Sequence, residues 1–478
     1  MSVLVRRTGE AARALPWLKA GLGIAIGAYL LVCAKAMTSV REPLSGMNVL
    51  VPISIALFPL CAFLSFGYPL IFPFGLYVLI TPIDALLAVS GVASLVKLIG
   101  FAAAGALLLR TLLQRRALAP QRSWYLWAAL VAYASLSIMW TPDYANGANV
   151  LLPMLLLFVM MTVLAIYPAR PLEFKVMAGL IVVSGLGAAV VSLLQFHSGS
   201  TSYDKRLTLH GLTAHNVQDP NYLGGAFLLA IAFALVGVFY TRNLIVRTLS
   251  AISLAPMIAA VLSTGSRSAF FAAIAIFCYF IVRSKFRLQA FLLGACGFAM
   301  TAFYPRVLDR LFASDVGTAD GRTDIWRTGM HSFADHWLFG AGIGSYQYDY
   351  DRNVLAVFQH EFAGWTRPGH SLIFVALNDF GVIGFVLVLA CWFVGFRQLS
   401  VIPKTSWLYG TRIGLEAGMI GLFIHMLFLD PFFVKYVWLA QSLPLLVLNL
   451  YAPRALRVGR RVAAPVPQLR PAQSFRGT

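Results

Sequence analysis

Apolar stretches of about 20 residues recur along the chain, from near residue 20 to residue 451. Each is long enough to cross the hydrocarbon core of a bilayer as an α-helix, whereas spanning β-strands would give ~10-residue segments of alternating polarity. The pattern predicts an all-α, polytopic membrane protein with about 12 to 14 transmembrane helices. The candidate spans are residues 20–36, 48–66, 68–81, 91–113, 124–140, 148–167, 175–197, 218–240, 243–262, 266–283, 287–304, 370–397, 408–429 and 433–451.

The lower number of spans applies if the short, proline-rich third stretch forms a re-entrant hairpin. The basic residues before the first apolar run resemble the start of a signal peptide, but no cleavage site follows them, so we interpret this run as a membrane anchor. The predicted organisation is a cytoplasmic N-terminus (1–19), a helical bundle (20–304), a periplasmic loop with short helices (305–369), C-terminal transmembrane helices (370–451) and a basic, disordered cytoplasmic tail (452–478).

Composition agrees with a membrane protein, because 59% of the residues are hydrophobic and only 12% are charged. The net charge of +19 would suit nucleic-acid binding, but the basic residues cluster in alternate connections between spans, which is the positive-inside pattern of topology. We therefore expect no nucleic-acid partner. With both termini in the cytoplasm, the connections near residues 110–122, 170–175, 242–247, 283–287 and 397–404 lie inside, and the acidic loop 305–369 lies outside.

Three residues predicted at the outer face could carry chemistry. Arg267 follows Ser266 at the start of a span, where a guanidinium and free helix N–H groups would favour an anion. Arg322 lies in the outer loop beside Trp326. His370 lies where that loop re-enters the membrane, and histidine suits proton transfer near neutral pH. The alternative interpretations are a snorkelling arginine, a surface salt bridge and a structural histidine.

Other candidates have weaker support. Asp219 precedes Pro220 at the start of a span, where capping the helix would account for it. Arg367 lies three residues before His370 and, with Ser266 and Asp219, is a supporting site candidate. The histidines near residues 197–215 lack the spacing of a metal site, so we expect no metal and no other cofactor.

Several short motifs, taken in order, resemble the O-antigen ligase and O-antigen polymerase superfamily. The similarity extends from about Ser123 to Leu450. The motifs are LSIMWTPDYANG (136–147), DPNYLGG (219–225), LSTGSRSAF (262–270), GRTDIW (321–326), DHWLFGAGIGSY (335–346), and GHS with a following DFGVIG (369–384). The sequence NDFG at 378–381 stands where many relatives carry Glu-x-Gly, which leaves the subfamily open.

The resemblance implies a bacterial inner-membrane enzyme that transfers a glycan from undecaprenyl diphosphate at the periplasmic face. Ligases use a sugar of the lipid A core as acceptor, polymerases another lipid-linked repeat, and related enzymes protein hydroxyls; no metal or nucleotide is needed. By motif match, Arg267 and Arg322 would hold the diphosphate and His370 would be the general base. We expect an inverting ligase ahead of a polymerase or a protein O-oligosaccharyltransferase. A solute transporter or non-catalytic membrane protein is the alternative from another class.

Overall fold

The computed structural model describes residues 61–87, 95–199, 205–211, 217–303, 322–357 and 367–451. The cytoplasmic N-terminus predicted at 1–19, the first predicted span, most of the second and the basic tail lie outside the described residues. Parts of the predicted periplasmic loop, residues 305–321 and 358–366, also lie outside them.

The described chain is helical apart from one short hairpin, which confirms the predicted all-α class. Residues 61–67 are helical and precede the numbered elements. These are α1 Phe74–Ile80, a 3-10 helix Thr81–Leu87, α2 Leu95–Gln114, α3 Arg122–Ser137, α4 Tyr144–Ile166, α5 Pro171–His197, β1 Leu209–His210, β2 Val217–Gln218, α6 Pro220–Tyr240, α7 Leu244–Ser263, α8 Arg267–Arg283, α9 Arg287–Ala299, a 3-10 helix Met300–Phe303, α10 Arg322–Asp335, α11 Tyr346–Val357, α12 Leu372–Arg397, a 3-10 helix Gln398–Val401, α13 Tyr409–Met426 and α14 Lys435–Tyr451.

Six of the described helices are long and apolar enough to cross a membrane: α2, α4, α5, α6, α7 and α12 with its 3-10 extension. This agrees with a multi-pass membrane protein. The predicted total of 12 to 14 spans stays a prediction, because its first spans lie outside the described residues. Two further helices, α10 and α11, lie within the segment predicted as a periplasmic loop.

Helix α6 forms the centre of the bundle, and most of its length is buried. Small residues allow its neighbours to approach closely. A Cβ at Gly185 would collide with Ala230, one at Gly414 with Val236, and one at Gly237 with a serine of α7. Close backbone packing of this kind is typical of helices in lipid, where the hydrophobic effect does not drive helices together. Helix α6 is consequently held between α5, α7 and α13.

The basic connections gather at one end of the bundle, which we call the basic end. Arg412 donates to the carbonyls of Ser400 and Ile402, and Tyr409 donates to the carbonyl of Arg283. Further contacts join the remaining connections to this end: Leu118 N–H to Ile166 O (3.0 Å), Gln398 Nε2 to Ser123 Oγ (2.7 Å), Asn449 Nδ2 to Ala165 O (2.7 Å) and Tyr240 OH to Ser284 Oγ (3.1 Å). His370 lies at the other end, which we call the His370 end.

Helix α12 is broken near the His370 end at Gly381, whose φ of +64° lies in the left-handed region that favours glycine. The break frees two backbone carbonyls from the helix. The carbonyl of Asn378 accepts from the N–H of Ala341 (2.8 Å), and that of Asp379 accepts from the N–H of Gly342 (3.0 Å). The glycine-rich stretch after α10 thus binds to α12 like an added strand.

The side chain of Asp379 fixes the start of α11. Its carboxylate accepts from the backbone N–H groups of Gly344 (2.8 Å) and Tyr346 (3.2 Å) and from the hydroxyl of Ser345 (3.2 Å). A carboxylate at a helix N-terminus satisfies free N–H groups and interacts favourably with the helix dipole. The unusual NDFG sequence is therefore a structural joint in this protein.

The same glycine-rich stretch also contacts the junction between α3 and α4. Asn146 Nδ2 donates to the carbonyl of Gly344 (2.6 Å), and Thr141 Oγ1 donates to that of Ile343 (3.0 Å). A Cβ at Gly344 would lie 2.8 Å from the backbone of Gly147. We call residues 337–345 with their partners 137–147 and 378–383 the clamp. Three of the sequence motifs belong to it.

Candidate functional site

His370 lies immediately before α12 on a turn that other elements hold in place. Its φ of +44° is uncommon for a residue other than glycine. The preceding Gly369 packs against the ring of Tyr346, which a Cβ at that position would meet at 3.0 Å. The carbonyl of Gly369 accepts a hydrogen bond from Trp326 Nε1 (3.1 Å). The turn is therefore fixed from two sides, by α10 and by α11.

Helix α10 carries Arg322 to this turn. Trp326 stacks on Phe374 of α12, with ring centroids 5.0 Å apart, and Tyr346 donates to the carbonyl of Ile325 (2.9 Å). Arg322 lies one turn before Trp326, so the two residues share one face of the helix. In contrast, Arg327 is largely exposed and pairs with Asp324 at 4.0 Å, which is a surface ion pair.

The charge of Arg322 acts directly on His370, so these two residues lie close together. Burial, and then the positive charge of Arg322, lower the pKa of His370 to about 4, while Asp219 acts in the opposite direction and Arg367 in the same direction as Arg322. The imidazole is consequently neutral at pH 7. Its buried Nδ1 has no hydrogen-bond partner within the described part of the chain. A neutral imidazole with a free ring nitrogen can accept a proton.

Asp430 is a site residue that the sequence analysis missed. It lies in the turn between α13 and α14, beside the backbone of His370. Burial raises the pKa of Asp430 to about 7, and the N–H groups of Ser371 and His370, with the charge of Arg322, partly offset that rise. The carboxyl group thus contributes to the surroundings of both Arg322 and His370. Its only sequence signal is an acidic residue between two apolar segments.

Arg267 is the first residue of α8, at the same end of the bundle. The hydroxyl of Ser266 caps this helix by accepting from the N–H of Ala269 (3.4 Å), and it lies 3.2 Å from the hydroxyl of Ser268. The first turn of α8 packs tightly on α6, where a Cβ at Gly224 would approach Ala269 to 2.8 Å. Arg267 therefore extends from a rigid helix start.

Asn221, in the first turn of α6, links this turn to several other elements. Its N–H donates to Asp219 Oδ1 (2.7 Å). Asp219 therefore caps α6, as the sequence predicted. Its side-chain oxygen accepts from Arg206 (2.9 Å), and its carbonyl lies 3.1 Å from Nε2 of His425. Arg206 also donates to the carbonyl of Thr264 (2.7 Å). Arg206 thus joins α6 to the turn that carries Arg267.

Arg206 and His425 were not found from the sequence. Arg206 lies in a loop whose other residues give no motif, and His425 lies inside an apolar helix, where a buried histidine is usually structural. His425 is fully buried and lies against the backbone of both Asn221 and Ser268. Only the packing of α6, α8 and α13 brings these residues together.

The predicted site residues thus lie at one end of the bundle, on different elements. The charges of Arg322, Arg367 and Asp219 act on His370. Ser266 and Arg267 lie at the start of α8, and Arg206 links the turn before α8 to the first turn of α6. Among the described residues, no three His, Cys, Asp or Glu side chains lie close enough to hold a metal ion. The arrangement can bind an anion and accept a proton.

Comparison with known proteins gives one family. No curated protein sequence matches the chain. Residues 252–389 match the family model described as O-antigen ligase, and this segment contains Arg267, Arg322, Arg367 and His370. It runs from within α7 through the broken part of α12, so it includes most of the clamp as well. Residues 252–389 are thus similar to an O-antigen ligase domain, which supports the resemblance to the O-antigen ligase and polymerase superfamily that the motifs predicted.

Proposed function

We propose that this protein is an O-antigen ligase-type glycosyltransferase, which moves a glycan from undecaprenyl diphosphate to a hydroxyl of a lipid A-core sugar. One observation carries the proposal: the matched domain holds two arginines and a neutral histidine at one end of a membrane-spanning bundle. The arginines suit a diphosphate, and the histidine suits removal of a proton from the acceptor hydroxyl.

The proposed orientation in the membrane follows from the charges. The basic end carries the connections rich in Lys and Arg, which remain on the cytoplasmic side of inner-membrane proteins. The His370 end would then face the periplasm. There the polyprenyl chain of the donor can stay in the lipid while its diphosphate and glycan reach the site.

In the proposed reaction, the acceptor oxygen attacks the anomeric carbon of the donor glycan. The bond between that carbon and the diphosphate oxygen breaks, and undecaprenyl diphosphate leaves with the electron pair. His370 takes the proton of the acceptor hydroxyl. One displacement inverts the anomeric configuration. Arg267 and Arg322 stabilise the negative charge that grows on the leaving diphosphate, and such stabilisation is often the largest contribution to catalysis.

The low pKa of His370 fits this sequence of events. In the protein alone, Arg322 opposes protonation of the imidazole. A diphosphate bound at Arg322 would bring negative charge that cancels this effect, so His370 would become a stronger base only when the donor is present. Ser266, Asp219 and Arg367 have supporting roles in this proposal, by fixing helix starts or adding positive charge. The reaction uses no metal and no other cofactor.

The test is deletion of the gene followed by gel analysis of lipopolysaccharide. Loss of a ligase leaves lipid-linked polymer intact and the lipid A core uncapped. Loss of a polymerase instead leaves a core that carries at most one repeat unit. If the core is still capped, but by no more than one repeat unit, and long polymer disappears, the ligase assignment is wrong. Unchanged lipopolysaccharide and polymer together would point to a protein acceptor or to transport.

A further inference from the structure

A cavity of about 440 Å³ opens at the basic end, far from His370. It lies between the start of α3, the end of α12 with its 3-10 extension, and the end of α14. Hydrogen bonds fix these three elements together: Gln398 to Ser123 (2.7 Å) and Gln121 to Asn449 (3.5 Å). The walls are therefore set by the fold, and the cavity does not depend on a single side chain.

The lining of this cavity is divided between charge and apolar surface. Arg122 and Arg397 both line it and are both exposed, and Val394 and Leu448 supply apolar walls. No carboxylate belongs to the described residues that line it. Two guanidinium groups in one cavity repel each other unless an anion lies between them.

Three other arginines at this end, Arg412, Arg110 and Arg170, have anionic partners in the chain. Arg412 pairs with Glu416 at 2.8 Å, and Arg110 and Arg170 act electrostatically on Glu173. The pair Arg122 and Arg397 differs from these because its cavity offers it no carboxylate. In addition, Tyr451 lines the same cavity, and the six tail arginines follow Tyr451 directly in the sequence. The two arginines of the cavity thus lie at the expected level of the lipid headgroups.

We propose that this cavity binds the phosphodiester headgroup of an anionic membrane phospholipid. Basic pockets between transmembrane helices on the cytoplasmic side suit such headgroups. Arg122 and Arg397 would hold the phosphate by charge-assisted hydrogen bonds, and the acyl chains would leave along Val394 and Leu448 into the bilayer. Neither arginine belongs to the glycan-transfer site, so the proposal is independent of the proposed function.

The experiment measures lipid bound to the full-length protein by native mass spectrometry. The protein is held in micelles of an uncharged detergent, to which phosphatidylglycerol is added in steps. We expect the double variant Arg122→Gln, Arg397→Gln to bind phosphatidylglycerol about tenfold or more weakly than the unchanged protein. The variant Arg122→Lys, Arg397→Lys keeps the charge and should retain most of the binding, which separates lost binding from misfolding.

The matched control is Arg247→Gln with Arg287→Gln, two exposed arginines of the same end that do not line the cavity. This variant removes the same charge and should bind phosphatidylglycerol within about twofold of the unchanged protein. Equal loss in the control, or unchanged binding in the cavity variant, would overturn the proposal. Competition by glycerol 3-phosphate as strong as that by phosphatidylglycerol would assign the cavity to a soluble anion and would also overturn it.

Discussion

The His370 end contains two regions of different character, the clamp and the group of His370, Asp430, Arg267 and Arg322, which we call the pocket. In the clamp, backbone groups pair with each other and Asp379 accepts three hydrogen bonds, so that Oδ1 of Asn378 is the one buried side-chain atom there without a partner in the described residues. In the pocket, Nδ1 of His370 and Oδ1 of Asp430 are buried without a partner in the described residues. Satisfied polar networks stiffen a fold, whereas buried unsatisfied groups carry a cost. The clamp thus holds the pocket in shape, and in the proposed function the unpaired groups of the pocket would meet the substrate.

The largest effect should come from His370→Ala. Loss of the proposed general base is expected to reduce glycan transfer by about 10²- to 10⁴-fold, while the protein remains folded. Transfer by the purified variant to lipid A core, together with its melting temperature, checks this expectation. The control is His331→Ala, at an exposed histidine of α10, which should retain full activity. Wild-type transfer by His370→Ala would contradict the assignment of His370 as the general base.

Replacing either pocket arginine should come next. Arg267→Ala and Arg322→Ala each remove charge that would stabilise the departing diphosphate, so transfer should fall by about 10²- to 10³-fold. Lysine at either position should restore part of the activity. Arg327→Ala is the matched control, since Arg327 forms only a surface ion pair. Equal losses at Arg322 and Arg327 would contradict the assignment and indicate a general effect of loop charge.

A variant of the clamp should lower the thermal stability of the protein and leave its catalytic groups unchanged. Asp379→Ala leaves the buried N–H groups of Gly344 and Tyr346 without their acceptor, at a cost of about 3 kcal/mol. We expect a lower melting temperature in thermal unfolding, and transfer that recovers as the assay is cooled. The exposed Asp335→Ala serves as control. Full stability with abolished transfer would instead make Asp379 part of the chemistry and erase the distinction between the regions.

A smaller effect is expected for Arg206→Ala, which releases α6 from the turn that carries Arg267. The guanidinium donates to the carbonyl of Thr264 and to the side chain of Asn221, so its loss should loosen the Arg267 turn, and transfer should fall by about tenfold with most of the loss in KM. Kinetic analysis of the purified variant separates KM from kcat. Arg247→Ala, at the basic end, is the control. A loss confined to kcat would argue against a positioning role.

The smallest expected effect is the dependence of kcat/KM on pH. Because the lowered pKa of His370 keeps the imidazole neutral above about 4, kcat/KM should vary by less than about twofold between pH 6 and 8 and fall only in more acidic buffer. Arg322→Gln removes a charge that opposes protonation, so the acid limb should move to higher pH, whereas Arg322→Lys should leave it in place. An acid limb near pH 6.5 in the unchanged protein would show that His370 is not buried as described.

The sequence predicted the helices of the bundle and the candidate site residues that lie in the matched domain. It predicted little of the contacts that these helices and residues make. Apolar runs and basic connections are local features that a bilayer imposes on any spanning chain, so α4, α6 and α12 could be found from them. The NDFG segment had no structural interpretation in the sequence. Its role depends on hydrogen bonds to residues more than thirty positions away.

What the sequence by itself determined is the class of protein, the separation of charge between its two ends, and the candidates Arg267, Arg322 and His370. Only the tertiary structure decided that Asp430 lies beside the His370 backbone and that Arg206 ties α6 to the Arg267 turn. The physical reason is distance along the chain. Hydropathy and helix capping act over one or two turns, whereas these contacts join elements that come together only when the helices pack.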